Sequence, residues 1–360
     1  MRRAGALLTP RHVLRLAGRL PLVCAPASAY RRTPLDQRFR PGPRGAQADC
    51  DPNRQIGPLV AHTVTIDRGT ATRNGAVFDA DLRFVRDAFH RYRDSTEWWR
   101  AFEAHGVIGE EHWPTEPPRS FPGTLAVLTA SNQRYYFHWL LDVLPRLEIL
   151  RAYRPEIRQI YVDRALPFQR ESLATLGVTD ERTVDAAEVG VATADELWVP
   201  CHQVRTGHLP PSWVLELLRR TFSRERRPGG ARRRLLISRD RASKRRLTNE
   251  DELAAALAPH GYERVRLEDL SVSAQARAFA DAESIVATHG SGLANLVFCQ
   301  PGTRVLELFP GSRYDLFARI AASVGARHET ILGVADGDVP SLHRDFVVDV
   351  RDVVRRARTA

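Results

Sequence analysis

The sequence has few cysteines, and none of them lies close to another. Cys24, Cys50, Cys201 and Cys299 are scattered over 360 residues, with no CxxC pair and no histidine at zinc-finger spacing. Structural zinc sites are typically built from cysteine and histidine ligands at such close spacings. We therefore expect free thiols and a cytoplasmic location, where thiols stay reduced.

Long apolar runs are also missing. Arg15 and Arg19 interrupt the N-terminal candidate, so no stretch approaches the roughly 20 apolar residues of a membrane-spanning helix. Residues 1–54 carry eleven arginines against three acids, which predicts a basic, weakly ordered arm. As a helix, residues 11–20 would be basic on one side and apolar on the other and would suit an anionic membrane surface. An unstructured tail or a misassigned start site explains the same pattern.

Basic charge is nearly balanced once this arm is set aside. The formal charge is +10, yet residues 55–360 contain 42 basic and 40 acidic residues. Nucleic-acid binding needs a concentrated basic face. The near-neutral body argues against nucleic acid as a partner.

The length and average composition predict a globular protein of two domains. From residue 123 onward, short β-rich runs alternate with helical patterns, which is typical of α/β domains with parallel sheets. A stretch rich in Arg, Pro and Gly predicts a linker at 224–234. We place an α/β domain at 55–224, a Rossmann-like domain at 225–335, and a tail or helix that packs back at 336–360.

The predicted elements alternate in both domains. The first domain should contain strands at 123–129, 159–163 and 195–201 and helices at 135–151, 167–176 and 211–224. In the second, the pattern predicts a doubly wound parallel sheet of five strands, four of which it locates. It places strands at 233–239, 263–268, 284–290 and 304–310 and helices at 249–261, 271–282 and 314–325, with a short helix after the third strand. Because such sheets bind ligands at the carboxyl ends of their strands, we expect the chemistry in the loops there.

The motif THGSGLAN, residues 288–295, follows one of these strands. Gly290 and Gly292 allow a tight turn, and the helix after it would offer unpaired amides to a phosphate. Asn295 stands where a dinucleotide fingerprint would have its third glycine, so this is not a GxGxxG motif. The turn, with His289 and Ser291, is a candidate diphosphate site, although paired glycines also occur at such turns for steric reasons alone.

A basic loop follows the first strand of the same sheet. Ser238 and Arg239 end the strand, and Arg241, Lys244, Arg245 and Arg246 follow. Arginine suits bidentate phosphate contacts. We expect this loop beside the glycine turn, with a solvated charge run as the alternative.

A third candidate lies in NQRYYFHWLLDVLPRLEIL, residues 132–150. His138 and Asp142 are four residues apart and share a helix face, while Pro145 should bend or restart the helix. Such a pair can act as a base and its orienting partner for a hydroxyl nucleophile. A structural pair at this spacing is equally consistent with the pattern.

Two weaker candidates remain. Glu307, inside the strand RVLELFP, could hold ribose hydroxyls or could be an edge residue without a role. Trp98, Trp99 and Trp113 could stack on sugar rings or could pack in the core.

Taken together, several of these motifs resemble glycosyltransferase family 61. The resemblance spans about residues 120–335. The motifs that carry it, in order, are FHWLLDVLPR, PFQRESLATLGV, SRDRASKRRLTNEDEL, THGSGLANLVFCQPGTRVLELFP and RYDLFARIAASVG. The family includes bacterial capsular-polysaccharide biosynthesis proteins, plant β-1,2-xylosyltransferases and transferases of O-linked N-acetylglucosamine.

The resemblance implies a GT-B fold, in which two Rossmann-like lobes face each other across a cleft. The domain at 55–224 would be the acceptor side, and the domain at 225–335 would bind the nucleotide sugar. The implied reaction is inverting transfer from the nucleotide sugar to a glycan or lipid-linked glycan acceptor. Arg239 and Arg246 match basic positions near the donor diphosphate, and residues 289–292 and Glu307 match the donor lobe. His138 and Asp142 match the cleft motif, with Asp142 the candidate base and His138 its rival. No DxD pair accompanies these motifs, so we expect no metal and no cofactor.

Two other functions are consistent with the same motifs. Sugar-nucleotide epimerases have similar lobes and a diphosphate site but need no acceptor. A non-catalytic nucleotide-binding protein of polysaccharide assembly would tolerate change at these residues. Donor hydrolysis with and without glycan acceptors distinguishes the three.

Overall fold

A computed structural model of the protein describes residues 26–35, 62–85, 88, 117–202, 210–223, 232–311, 314–335 and 344–358. The predicted membrane-binding segment at 11–20, most of the predicted linker and the three tryptophans Trp98, Trp99 and Trp113 lie outside these residues. The described residues form two compact units, one up to residue 202 and the other from residue 210 onward.

The first unit contains a mixed sheet. Within the described residues its strands are β1 (Arg31–Pro34), β2 (His62–Asp67), β3 (Thr70–Thr72), β4 (Val77–Phe78), β5 (Arg119–Val127), β6 (Gln159–Val162), β7 (Thr183–Asp185) and β8 (Val191–Cys201). The order is β1-β2-β8-β5-β6-β7. Strand β3 also pairs with β8, and β4 pairs with β3. The predicted strands near 123, 159 and 195 are therefore confirmed, and they pair in parallel.

The expectation of parallel sheets throughout is wrong for the first unit, because β1 to β4 pair antiparallel. Strands β2 and β3 follow one another along β8, and a four-residue turn then returns the chain through β4. The connection between β3 and β4 is too short for the crossover that parallel pairing requires, so these two strands must pair antiparallel. Strand β1 lies inside the predicted weakly ordered arm. Its four residues are all exposed, so its sequence shows no apolar alternation.

The helices of the first unit follow its strands closely. They are α1 (Tyr136–His138), α2 (Leu144–Tyr153), α3 (Pro167–Thr175) and α4 (Ala186–Val189). A π-helical stretch, Trp139–Val143, joins α1 to α2. The predicted restart near Pro145 is thus confirmed, since Pro145 lies in the first turn of α2. The buried face of the sheet, with Val64, Ile66, Leu125 and Leu197, forms the core.

The second unit is built on an all-parallel sheet of five strands among the described residues. They are β9 (Arg233–Ile237), β10 (Tyr262–Val265), β11 (Ala282–Thr288), β12 (Arg304–Phe309) and β13 (Arg327–Leu332), in the order β10-β9-β11-β12-β13. The predicted doubly wound sheet is confirmed here. The sequence pattern did not locate β13, an edge strand with only one buried residue.

Helices connect these strands. They are α5 (Ser212–Phe222), α6 (Glu250–Leu257), α7 (Val272–Ala280), α8 (Leu316–Ser323) and α9 (Val350–Arg358), with a 3₁₀ segment at Ser291–Phe298. Helix α5, expected in the first domain, belongs to the second unit, where Arg219 donates to the carbonyls of Val297 and Cys299. Strands β14 (Val334–Ala335) and β15 (Phe346–Val347) form a small antiparallel sheet.

The predicted C-terminal helix is confirmed as α9. Its residues Val353 and Ala357 are buried in the same cluster as Leu253 and Leu257 of α6. Within the ranges given above, no helix has the length and apolar character needed to cross a membrane.

Candidate functional site

The carboxyl ends of β9 and β11 bring two predicted motifs together in the second unit. Strand β11 ends at Thr288, and His289 and Gly290 lead into the 3₁₀ segment that begins at Ser291. In a 3₁₀ segment the first amides have no carbonyl three residues back within the segment. The amides of Ser291 and Gly292 therefore point out of the start of the segment, where an anion can accept from them.

The guanidinium of Arg239 lies directly on this turn. A methyl group on Gly290 would stand 2.2 Å from Nη1 of Arg239 and 2.9 Å from its Cζ. Burial, helped by nearby Arg245, lowers the pKa of Arg239 to about 10, so the group stays charged near neutral pH. Its Nε is buried and donates to no described residue. The turn thus holds a poorly solvated cation that suits an anionic ligand.

Ser238, also a predicted donor-binding residue, supports the basic loop. Its hydroxyl donates to the carboxylate of buried Glu250, which also accepts from the backbone amide of Arg239 at 3.0 Å. Arg264 donates to the same carboxylate from Nε at 2.9 Å. These bonds fix the backbone from which Arg239 projects. A direct contact between Ser238 and a donor stays a prediction.

Asn295 and Gly292 hold the turn from its inner side. The Asn295 amide is fully buried and donates to the Gly292 carbonyl at 3.0 Å and to Gln275 of α7 at 2.8 Å. A methyl group on Gly292 would stand 2.6 Å from Cδ1 of Leu267. This geometry favours a supporting role for Asn295, and its predicted donor contact is untested.

Glu307 is completely buried on β12 and is bonded to two histidines. One carboxylate oxygen is 2.6 Å from Nδ1 of His289, and the other is 2.7 Å from Nε2 of His328 on β13. The His289 ring stacks on Phe309 at 4.6 Å. Because the side chain is completely buried, the predicted ribose contact would require Glu307 to become exposed. Sequence reasoning missed His328, because only the pairing of β12 with β13 brings it beside Glu307.

Arg246, the second predicted diphosphate ligand, is bound to Asp345. Its Nη2 lies 2.7 Å from a carboxylate oxygen, and its backbone amide donates to the other oxygen at 2.8 Å. The side chain is 53% exposed. A phosphate would have to compete with this ion pair, so the predicted role remains open.

In the first unit, His138 and Asp142 form the predicted pair. Nδ1 of His138 is 2.7 Å from a carboxylate oxygen of Asp142. An ionised carboxylate only accepts, so Nδ1 is the nitrogen that carries the proton in this hydrogen bond. The Asp142 side chain is 4% exposed and that of His138 is 13% exposed. The imidazole is therefore the better placed of the two to meet a substrate.

Pro145 explains the π-helical stretch that carries this pair. It has no amide hydrogen, so the Leu141 carbonyl loses its usual α-helical donor. Nε2 of buried His202 takes that place at 3.3 Å. Arg146 similarly donates from Nε to the Asp142 carbonyl at 3.2 Å and from Nη1 to the Thr129 carbonyl at 3.0 Å.

His202 and Arg146 are functional candidates that sequence reasoning missed. Burial lowers the pKa of His202 to about 4, so its ring is neutral near pH 7. Burial likewise lowers the pKa of Arg146. Both lie near the carboxyl ends of β5 and β8. The sequence signal that could have pointed to them is Pro145, a proline inside a predicted helix. π-Helical turns are common at functional sites.

A cavity of about 500 Å³ opens at the opposite, amino-terminal edge of the second sheet. Arg232, Arg304 and Arg327 are among its lining residues, and no predicted site residue lines it. Across the described ranges, no cluster of three or more His, Cys, Asp or Glu side chains could hold a metal ion.

Two comparisons with known proteins bear on this geometry. Residues 136–306 match the family model described as Glycosyltransferase 61. An 83-residue stretch is 40% identical to the beta-1,2-xylosyltransferase XYXT1 of Oryza sativa subsp. japonica, and it covers 23% of this chain and 18% of that protein. The chain thus matches less than a fifth of that relative's length. The family match includes the His138–Asp142 pair, Arg239 and the Gly290 turn, so residues 136–306 of this chain are a glycosyltransferase family 61 domain.

Proposed function

We propose that the protein is an inverting glycosyltransferase that moves a sugar from a nucleotide-sugar donor to a glycan hydroxyl. The observation that carries the proposal is the contact between Arg239 and the Gly290 turn inside the family 61 match. It joins a buried cation to outward-pointing amides at the carboxyl edge of a parallel sheet, where such folds bind ligands. We retain the GT-B architecture that the resemblance implies.

The donor end of the reaction requires stabilisation of negative charge. As the bond from the anomeric carbon to the diphosphate breaks, charge grows on the leaving nucleotide. Arg239 and the amides of Ser291 and Gly292 would stabilise that charge, and they do so best when fixed in advance. The bonds of Glu250 and Asn295 provide that fixation. We therefore propose that these groups serve without a metal ion.

The acceptor end requires a base. Of the two candidates we assign His138, because Asp142 is more deeply buried and already accepts from Nδ1 of His138. Nε2 of His138 would take the proton from the acceptor hydroxyl as the oxygen attacks the anomeric carbon. Asp142 would hold the ring in the required tautomer and stabilise the imidazolium that forms.

The substrates are proposed more broadly. The name of the rice relative supports a pentose donor such as UDP-xylose, and hexose donors remain within the proposal. We propose a glycan or lipid-linked glycan acceptor in capsular or cell-surface polysaccharide synthesis, at the cytoplasmic side of the membrane. The basic N-terminal arm supports peripheral contact with anionic lipid.

The test is a nucleotide-release assay over a panel of nucleotide sugars, each with and without glycan acceptors. We expect release to rise at least tenfold when a suitable acceptor is present, and the product to have the anomeric configuration opposite to that of the donor. Conversion of a nucleotide sugar to its epimer without acceptor, or failure of every nucleotide sugar to bind, would exclude the proposal.

A further inference from the structure

The pairing of Glu307 with two histidines has no role in the reaction as proposed. Its carboxylate is completely buried, with His289 at 2.6 Å on one oxygen and His328 at 2.7 Å on the other. Burying a charge is costly unless it is paired and hydrogen-bonded. The position of His289 immediately before the Gly290 turn connects this buried charge to the donor site.

The carboxylate determines which nitrogen of His289 faces outward. Because an ionised carboxylate only accepts, Nδ1 of His289 carries a proton and Nε2 of His328 carries another. Nε2 of His289 is the ring nitrogen that remains for a ligand, and the His289 side chain is 8% exposed. Without ligand and with a neutral ring, this nitrogen is an acceptor.

Few charged or titratable groups surround His289. Glu307 faces it from β12, and the ring of Tyr314, ahead of α8, is perpendicular to the imidazole with 5.9 Å between the ring centroids. Burial raises the pKa of Tyr314 to about 12, so the phenol stays neutral. Arg239 lies on the adjacent Gly290, and the other neighbours are the rings of Phe309 and Phe317. Glu307 is therefore the anion that can balance a positive imidazole.

A phosphate oxygen accepts hydrogen bonds and cannot donate them near neutral pH. For His289 to bond such an oxygen, Nε2 must first take a proton. We propose that His289 takes up one proton when the diphosphate of the nucleotide sugar binds, with Glu307 as counter-ion and His328 as the positioning residue that keeps Glu307 ionised. The proton comes from solvent and returns when the nucleotide leaves. This inference rests on the proposed function, because the ligand is the proposed donor.

His328 is needed because of the burial of Glu307. Without His328, one oxygen of a fully buried carboxylate has no donor, which favours the neutral carboxylic acid. A neutral acid would no longer balance the charge on His289. Loss of the hydrogen-bond donor at position 328 should therefore abolish proton uptake, although the residue there bonds Glu307 and not the ligand.

Calorimetry tests the inference on the full chain. A thermal-shift panel of UDP-xylose, UDP-glucose, UDP-N-acetylglucosamine and GDP-mannose selects the probe. Its binding is then measured at about pH 7.5 in two buffers with different enthalpies of ionisation. The diphosphate of these probes is esterified at both ends and has no group that titrates near this pH, so the protons counted belong to the protein. We expect uptake of about one proton per bound probe.

Two matched variants test the role of His328 as a hydrogen-bond donor to Glu307. In His328→Gln the side-chain amide can replace the Nε2 donor, whereas the shorter side chain of His328→Asn cannot reach. We expect normal proton uptake in His328→Gln, and its loss with about tenfold weaker binding in His328→Asn. Thermal unfolding of both variants shows whether either fails to fold. The proton uptake of the wild-type protein tests the inference even if a variant does not fold. Binding of the probe with no proton uptake, or equal uptake in both variants, overturns this inference alone. Failure of every probe to bind overturns the proposed function as well.

Discussion

The guanidinium of Arg239 lies against Gly290, so that a single added methyl group would meet its Nη1 at 2.2 Å. The contact is with the far end of a long side chain, which can move aside at little cost to stability. Glycine at this position therefore leaves room for the arginine rather than relieving backbone strain, because φ of Gly290 is 175° and any residue can adopt that conformation.

Gly290→Ala should displace Arg239 from the turn. We expect affinity for the nucleotide sugar to fall about tenfold to a hundredfold, while the free energy of unfolding changes by less than about 1 kcal/mol. Titration calorimetry and urea unfolding measure the two quantities. Ser291→Ala keeps the backbone amides and removes only the hydroxyl, so it measures the predicted side-chain contact of Ser291 separately from the effect of the turn. In the double variant with Arg239→Ala the two losses should not add. Additive losses would mean that Gly290 acts independently of Arg239.

Asp142→Asn should reduce turnover while donor affinity stays within about twofold. An amide cannot stabilise an imidazolium as a carboxylate does, and the expected loss in kcat is about 10²-fold to 10⁴-fold. His138→Ala should lose a similar amount. Steady-state kinetics and nucleotide-sugar titration measure these effects, with Asp180→Asn, an exposed carboxylate of the same unit, as the control. Full turnover in Asp142→Asn would show that this pair does not supply the base.

Pro145→Ala should restore an amide hydrogen that can bond the Leu141 carbonyl in place of His202. The α-helical geometry that results would turn His138 by about 100° relative to α2, because the π turn contains one extra residue. We expect turnover to fall at least about tenfold, with some loss of stability because the residues of the π turn are buried. Pro167→Ala is the control, since Pro167 begins α3, where the missing amide has no helical partner. Unchanged kinetics in Pro145→Ala would separate the π turn from function.

Stability should decrease in mild acid because of His202. Its pKa is about 4 in the folded protein, below the usual value of 6.5, so the unfolded chain binds a proton more readily. The free energy of unfolding should therefore fall as the pH drops from 6.5 towards 4, by up to about 3 kcal/mol from this group. Urea unfolding near pH 7 and near pH 4.5 measures the change. His202→Gln keeps a donor for Leu141 and does not titrate, so it should lose less stability than the wild type. An equal loss in both proteins would assign the acid sensitivity to other groups.

Chelation of divalent metal ions should leave turnover unchanged, because Arg239 and the turn amides are proposed to carry the charge of the leaving diphosphate. The assay compares nucleotide release with and without excess EDTA, followed by added Mg²⁺ or Mn²⁺. A loss of activity that either ion restores would show that these groups are insufficient alone.

Much of the second unit could be predicted from the sequence because its buried strands are continuous apolar runs between glycine and helix signals. The same regularity located the Gly290 turn and the loop of Arg239 at one sheet edge. Strand β13 was missed because an edge strand with polar residues lacks that signal. His328 was missed with it, since its partnership with Glu307 exists only across paired strands.

The first unit was harder to predict for two physical reasons. Strands β2, β3 and β4 are short and joined by tight turns. The antiparallel pairing of β2 and β3 with β8, and of β4 with β3, is therefore not visible in a pattern of alternating strands and helices. The spacing of His138 and Asp142 correctly indicated contact. It could not indicate which of the two is more buried, because that depends on the π turn and on His202.

The most direct test of the central claim is a crystal structure of the protein with a bound nucleotide sugar. The account predicts diphosphate oxygens within hydrogen-bonding distance of the Arg239 guanidinium and of the amides of Ser291 and Gly292. A nucleotide sugar whose diphosphate is ordered elsewhere, for example in the cavity lined by Arg232, Arg304 and Arg327, would contradict it.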